Sequence, residues 1–81
     1  MPLLVTGALG NTGRYVLKNL LDSGYEVIAI DLKNNHTLKN LKEIKGGNLF
    51  IEWIDLTIYK ELEKVFLKYK IDAIIHLAFV I

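Results

Sequence analysis

The stretch that most narrows what this chain can fold into is Thr6-Gly7-Ala8-Leu9-Gly10-Asn11-Thr12-Gly13-Arg14, which joins an apolar run, Leu3 to Val5, to an amphipathic run starting near Arg14. That order reads as a strand, a glycine turn and a helix start. The spacing Gly-x-x-Gly-x-x-Gly is close to, and distinct from, the Gly-x-Gly-x-x-Gly fingerprint of dinucleotide-binding turns. Gly7 is expected to let the chain turn sharply off the strand. Gly10 removes a Cβ that would hold the backbone away from a pyrophosphate, and Gly13 lets helix and strand pack closely. The helix start then offers an anion the free N–H groups of Asn11 and Thr12 and the positive end of its dipole.

A glycine turn alone is weak evidence, and its context supplies the rest. A second apolar strand, Glu26 to Ile30, ends in Asp31, 18 residues past Gly13. The fingerprint expects an acid at about 20 residues, where its carboxylate accepts hydrogen bonds from the adenosine ribose hydroxyls. Its charge would repel a 2′-phosphate, so the expected cofactor is NAD rather than NADP. Lys33, just beyond, pulls the other way.

At 81 residues the chain holds at most one small domain, and 52% of it is hydrophobic, more apolar surface than three or four elements can hide. Ten Lys and Arg against nine Asp and Glu leave a net charge of +1, which gives no general pull toward nucleic acid or an anionic membrane. With no cysteine there is no disulfide framework or thiolate metal site, and the cytoplasm is the simplest compartment. No signal peptide is expected, since the N-terminus lacks a basic region and its apolar run breaks at Thr6-Gly7. The apolar run from Ala73 to Ile81 is too short for a membrane span.

In chain order, the first helix is expected to bury Val16, Leu17, Leu20 and Leu21 and to end at Gly24 in a left-handed cap. Between Leu32 and Gly47, Leu38, Leu41 and Ile44 suggest a short helix under Lys39, Lys42 and Lys45. Asn48 to Ile54 reads as a third strand with Phe50 and Trp53 inward, and Glu52 marks it as an edge. A helix from about Thr57 to Lys70 should bury Leu62, Val65, Phe66 and Tyr69. A fourth strand, Ala73 to Ala78, follows. His76 on that strand and His36 in a polar segment read as structural, with no metal spacing between them. Alternating strands and helices imply an α/β fold of the Rossmann type, a partial parallel sheet in the order 3-2-1-4 with helices on both faces. Gly7, Asp31, Asp55 and Ala78 would then share one rim.

Four motifs together resemble the N-terminal part of an extended short-chain dehydrogenase/reductase, in the NAD-dependent epimerase/dehydratase family: Thr6-Gly7-x-x-Gly10-x-x-Gly13, Asp31, Asp55-Leu56-Thr57, and Asp72 through Ala78. The resemblance implies that Asn11 and Thr12 give backbone N–H to the pyrophosphate, and that Asp31 with Leu32 and Lys33 holds the adenosine ribose. It also implies that Asp55 and Leu56 flank the adenine, and that Leu77, Ala78 and Phe79 line the path toward the nicotinamide. The chain departs from the family at Ala8, where a second glycine is common, at Ile58, which leaves Thr57 to cap the helix, and at Phe79, where a small residue is usual.

Family chemistry also uses a Tyr-x-x-x-Lys pair. Four residues after Tyr15, Tyr25, Tyr59 and Tyr69 come Asn19, Ala29, Glu63 and Ala73. The resemblance therefore implies a cofactor-binding portion whose substrate portion lies outside these residues, and no catalysis by this chain alone. The alternative is a non-enzymatic nucleotide-binding or interaction module. The bare apolar edge of the fourth strand should pair with a second copy or with the missing C-terminal half.

Overall fold

The computed structural model describes residues 2–78. Its elements are β1 (Pro2–Thr6), α1 (Gly13–Asp22), β2 (Glu26–Asp31), α2 (Asn35–Leu41), β3 (Asn48–Trp53), α3 (Tyr59–Lys68) and β4 (Ala73–His76). The strands form one parallel sheet in the order β3-β2-β1-β4, with Leu4 opposite Ile28 on one side and Ile74 on the other.

The central strands carry apolar side chains at consecutive positions because both of their faces are covered. Val5, Val27 and Ala29 point toward α1, where Leu17, Leu21, Leu9 and Ala8 complete a buried cluster that Leu41 and Ile44 extend. Leu4, Ile28 and Ile30 point the other way, against Val65 of α3 with Leu62 and Tyr69 beside it. The first two helical segments thus share one face and α3 takes the other, as the right-handed crossover rule requires. Gly24 ends α1 with a positive φ of 87°, its N–H on the Leu21 carbonyl and the Tyr25 N–H on that of Leu20, which is a Schellman cap.

Several expectations are corrected. Around α2, Leu41 and Ile44 pack on the core as expected, but the fully buried residues are Thr37 and Asn40, at 3% and 2% exposure, and Leu38 is exposed. The reason is a capping box: Asn34 Oδ1 accepts from the Thr37 N–H and the Thr37 hydroxyl oxygen accepts from the Asn34 N–H, while that hydroxyl also donates to the Leu32 carbonyl, turning this face toward the sheet. The α3 helix starts at Tyr59, not Thr57, and its N-cap Ile58 makes no side-chain cap. The Thr57 hydroxyl donates instead to Asp55 Oδ1 at 2.6 Å.

Phe50 and Phe66 are half exposed rather than inward. By register Phe50 pairs with Ile28, so it lies on the α3 face, where a single helix must cover a four-stranded sheet. A helix is about 10 Å across and strands sit about 4.8 Å apart, so the outermost strands stay open on that side. The same geometry exposes Ile74 and leaves His76 exposed on the same edge strand.

Candidate functional site

The carboxyl ends of the four strands meet the turn after β1 and leave a groove of about 510 Å³ lined by Gly7, Gly10, Ile30, Asp31, Leu32, Ile54, Asp55, Leu56, Thr57, Leu77 and Ala78. A second hollow of about 400 Å³ shares Gly7, Gly10 and Leu77 and adds Asn11, Thr12 and Gly13.

The three glycines of the turn differ in what they do. Gly7 has a φ of 65°, and a Cβ there would sit 2.9 Å from the Ala78 amide nitrogen, so it permits both the turn and the approach of the segment after β4. A Cβ on Gly13 would overlap the Gly7 carbonyl oxygen and press on the Ala8 backbone at 2.9 Å. At Gly10 the situation is different. Its φ is not positive, and a Cβ would meet only the Gly7 carbonyl, at an ordinary 3.5 Å. Packing within the chain does not call for glycine at this position, yet it lines both hollows.

The turn is tied down at several points. The Gly7 N–H donates to the Ile30 carbonyl and the Gly10 N–H to that of Gly7. Asp31 Oδ2 accepts the Leu9 N–H at 2.9 Å, and Oδ1 accepts the Leu32 N–H at 2.8 Å. Thr12, the N-cap of α1, makes no side-chain cap, and the first turn holds no acid. The N–H groups of Asn11 and Thr12 have no partner among the described residues. A helix start left in this state carries uncompensated positive partial charge.

On the far side, Asp55 Oδ1 accepts both the N–H and the hydroxyl of Thr57, which holds its carboxyl below the usual carboxylate range. Thr6, 4% exposed, sits under the rim. Its hydroxyl oxygen accepts the Leu77 N–H at 3.1 Å and lies 2.6 Å from His76 Nδ1, which fixes the chain leaving β4.

Of the residues singled out from sequence, Gly7, Gly10, Asp31, Leu32, Asp55, Leu56, Leu77 and Ala78 line the larger groove, and Asn11, Thr12 and Gly13 the smaller. Lys33 is exposed and lines neither; Phe79 lies outside the described residues. Sequence reasoning missed Ile30, Ile54 and Thr57 as lining residues and gave no role to Thr6 or Asn40. The alternation of the strand ends was a usable signal for Ile30 and Ile54. Among the described residues no cluster of three His, Cys, Asp or Glu could hold a metal ion, and no helix is long and apolar enough to cross a membrane.

The curated relatives that this chain matches include UDP-glucose 4-epimerase of Bacillus subtilis (strain 168), 37% identical over 96% of this chain and 24% of its own length, and UDP-glucose 4-epimerase 2 of Arabidopsis thaliana, 34% identical over 94% and 23%. The chain spans about a quarter of these relatives. Among solved structures, UDP-glucose 4-epimerase with UDP-glucose from Thermotoga maritima superimposes with a TM-score of 0.82 at 28% identity, covering 96% of this chain and 24% of its own. A 4-hydroxyisoleucine dehydrogenase complexed with NADH gives 0.66 at 25% identity over 83% and 27%. The sequence profile of one family, the NAD dependent epimerase/dehydratase family, matches residues 3–81. With that match, and with the sheet order and glycine turn in place, this chain belongs to the NAD dependent epimerase/dehydratase family.

Proposed function

We propose that this chain binds NAD, gripping its adenosine diphosphate half, as the cofactor portion of a nucleotide-sugar epimerase, dehydratase or related dehydrogenase. The observation that carries the reading is Gly10, a glycine the fold does not need, set where the two hollows join and one residue before the free amides of Asn11 and Thr12. A pyrophosphate accepts from those amides and needs the backbone bare at that point.

Asp31 supports the same reading. Each carboxylate oxygen offers two lone pairs and spends one on a backbone N–H, so one on each oxygen is left for a ribose diol. Its negative charge favours a free 2′-hydroxyl over a 2′-phosphate. Ile54 and Leu56 would pack on the adenine face, with Asp55 and Thr57 at its polar edge. Leu77, Ala78 and Phe79 would lead toward the nicotinamide, whose hydride chemistry the cofactor supplies when bound. The coverage of about a quarter of the relatives supports a substrate portion, with its proton-transferring Tyr and Lys, outside these 81 residues.

Calorimetric titration of the chain with NAD, ADP-ribose and nicotinamide mononucleotide tests the assignment. ADP-ribose is expected to bind nearly as tightly as NAD, and the mononucleotide hardly at all. Failure of both NAD and ADP-ribose to bind at millimolar concentration would remove it. A non-enzymatic interaction module is the second reading, favoured by the open β4 edge, where Ile74 is 52% exposed.

A further inference from the structure

We infer that Asn40, a side chain of α2 that lines neither hollow, is a positioning residue that sets the direction of the anion-binding amides. The inference rests on the reading that the glycine turn receives a diphosphate. Asn40 is 2% exposed, on a short helix whose other side chains are mostly in water. A buried amide costs free energy unless its polar atoms have partners, and here both Nδ2 and Oδ1 have one. Its Nδ2 donates to the Leu9 carbonyl at 2.7 Å and lies 3.3 Å from His36 Nε2; its Oδ1 accepts from Arg14 Nη1 at 2.9 Å. One side chain thereby joins the glycine turn, the first turn of α1 and its own helix, and Arg14 is steadied in turn by Glu43 at 3.5 Å.

The consequence follows from peptide planarity. The Leu9 carbonyl and the Gly10 N–H belong to one rigid unit. The Gly10 N–H donates to the Gly7 carbonyl at 3.2 Å, and Asn40 takes the carbonyl end of the same unit. One peptide back, Asp31 holds the Leu9 N–H. The plane is therefore pinned at both ends, immediately before Asn11 and Thr12. Glycines at 7 and 10 leave this segment intrinsically free to rotate, and order that the motif lacks is supplied from a helix 31 residues away in sequence. A turn held in its binding conformation before the ligand arrives loses less entropy on binding.

Asn40→Asp is the isosteric test. It keeps the acceptor for Arg14 and replaces the donor to Leu9 with a carboxylate oxygen facing a carbonyl. Two ligands separate positioning from general damage: ADP-ribose uses the turn amides, whereas adenosine does not. In Asn40→Asp the affinity for ADP-ribose is expected to fall about tenfold, the scale of one lost hydrogen bond, while that for adenosine changes less than about twofold. Hydrogen exchange on the free protein reads the clamp without any ligand. The Gly10 amide should be protected in the unmutated chain and about tenfold less so in Asn40→Asp, with β2 amides unchanged.

Equal losses for adenosine and ADP-ribose, or an unaltered ADP-ribose affinity, would overturn the inference. So would a Gly10 amide that exchanges at the rate of an unstructured peptide in the unmutated chain, a result available even if Asn40→Asp does not fold. Gly10 protection that is lost in Asn40→Asp, in a chain that binds neither ligand, overturns the diphosphate reading and the ligand half of this inference together, and leaves the clamp standing.

Discussion

Gly10 and Gly13 stand three residues apart in one motif and are held there by different forces. The Cβ of Gly13→Ala would be driven into the Gly7 carbonyl and the Ala8 backbone, which cannot yield as a flexible side chain does. We expect it to destabilise the fold by about 2–4 kcal/mol, the scale of strain in a tightly packed core, read as a lowered urea midpoint. Gly10→Ala meets only an ordinary contact, so its thermal midpoint should stay level or rise slightly, since alanine restricts the unfolded chain by about 0.4–1 kcal/mol. Its affinity for ADP-ribose should nevertheless fall at least about tenfold, from loss of the close backbone approach. Equal behaviour of the two variants in both assays would contradict this division.

Asp31→Ala is expected to weaken NAD binding and to narrow the gap to NADP in the same calorimeter, since the group that repels a 2′-phosphate is gone. Because Asp31 also holds the Leu9 N–H, some loss of stability should accompany it. The glycines and Asp31 were legible from sequence because their spacing is itself the signal. Asn40 was not. It sits in a lysine-rich, poorly periodic stretch whose apolar spacing runs through Leu38, Leu41 and Ile44, and nothing local announces that its amide will be the buried one.

Between elements, the outer edge of the sheet is fastened by a polar clasp. The Tyr69 hydroxyl, just past α3, donates to Glu52 Oε2 of β3 at 2.6 Å, and Lys68 Nζ reaches the same oxygen at 3.0 Å. The Tyr69 hydrogen bond, followed by Lys68, holds the Glu52 carboxyl below its ordinary 4.5 despite partial burial. A carboxylate favoured in the folded state contributes stability that is fully present above its unfolded pKa and is lost as pH falls through the folded value. The carboxylate contribution should therefore be complete above about pH 4.5 and decline below it, with Asp55, depressed by Thr57, adding to the same acid slope.

Tyr69→Phe should flatten the Glu52 part of that slope and cost about 1 kcal/mol at neutral pH, as a charge-assisted bond near the surface does. Chemical unfolding at a series of pH values measures both. Glu52 was legible as an edge residue because a charge within the body of a strand, away from its ends, points to a place at the edge of a sheet. Its partners were not, since Tyr69 reads from spacing alone as one more apolar position on α3.

For the molecule as a whole, two helical segments shield one side of the sheet and a single helix shields the other. Phe50 at one edge and Ile74 at the other lie on the poorly shielded side, at 46% and 52% exposure. Among the described residues no strand pairs with the outer edge of β4, and an open edge beside apolar surface is the arrangement that recruits another strand. Sedimentation of the chain should show association that grows with concentration, and Ile74→Lys should shift it toward monomer. A single monomeric species for the unmutated chain at high concentration would argue that the edge is protected.

By itself the sequence determined the order of strands and helices, the glycine turn, the acid at the end of the second strand, and hence the fold and its family, because each is written in local periodicity and spacing. Tertiary structure alone decided that the Asn40 amide is buried while Leu38, Phe50 and Phe66 are not. It also decided that Asp31 braces the turn, through the Leu9 N–H 22 residues before it. Burial of a side chain depends on what lies across from it. Where one helix must cover four strands, or one amide must reach a carbonyl 31 residues away, that partner is set by the packing of whole elements and not by any neighbour in the chain.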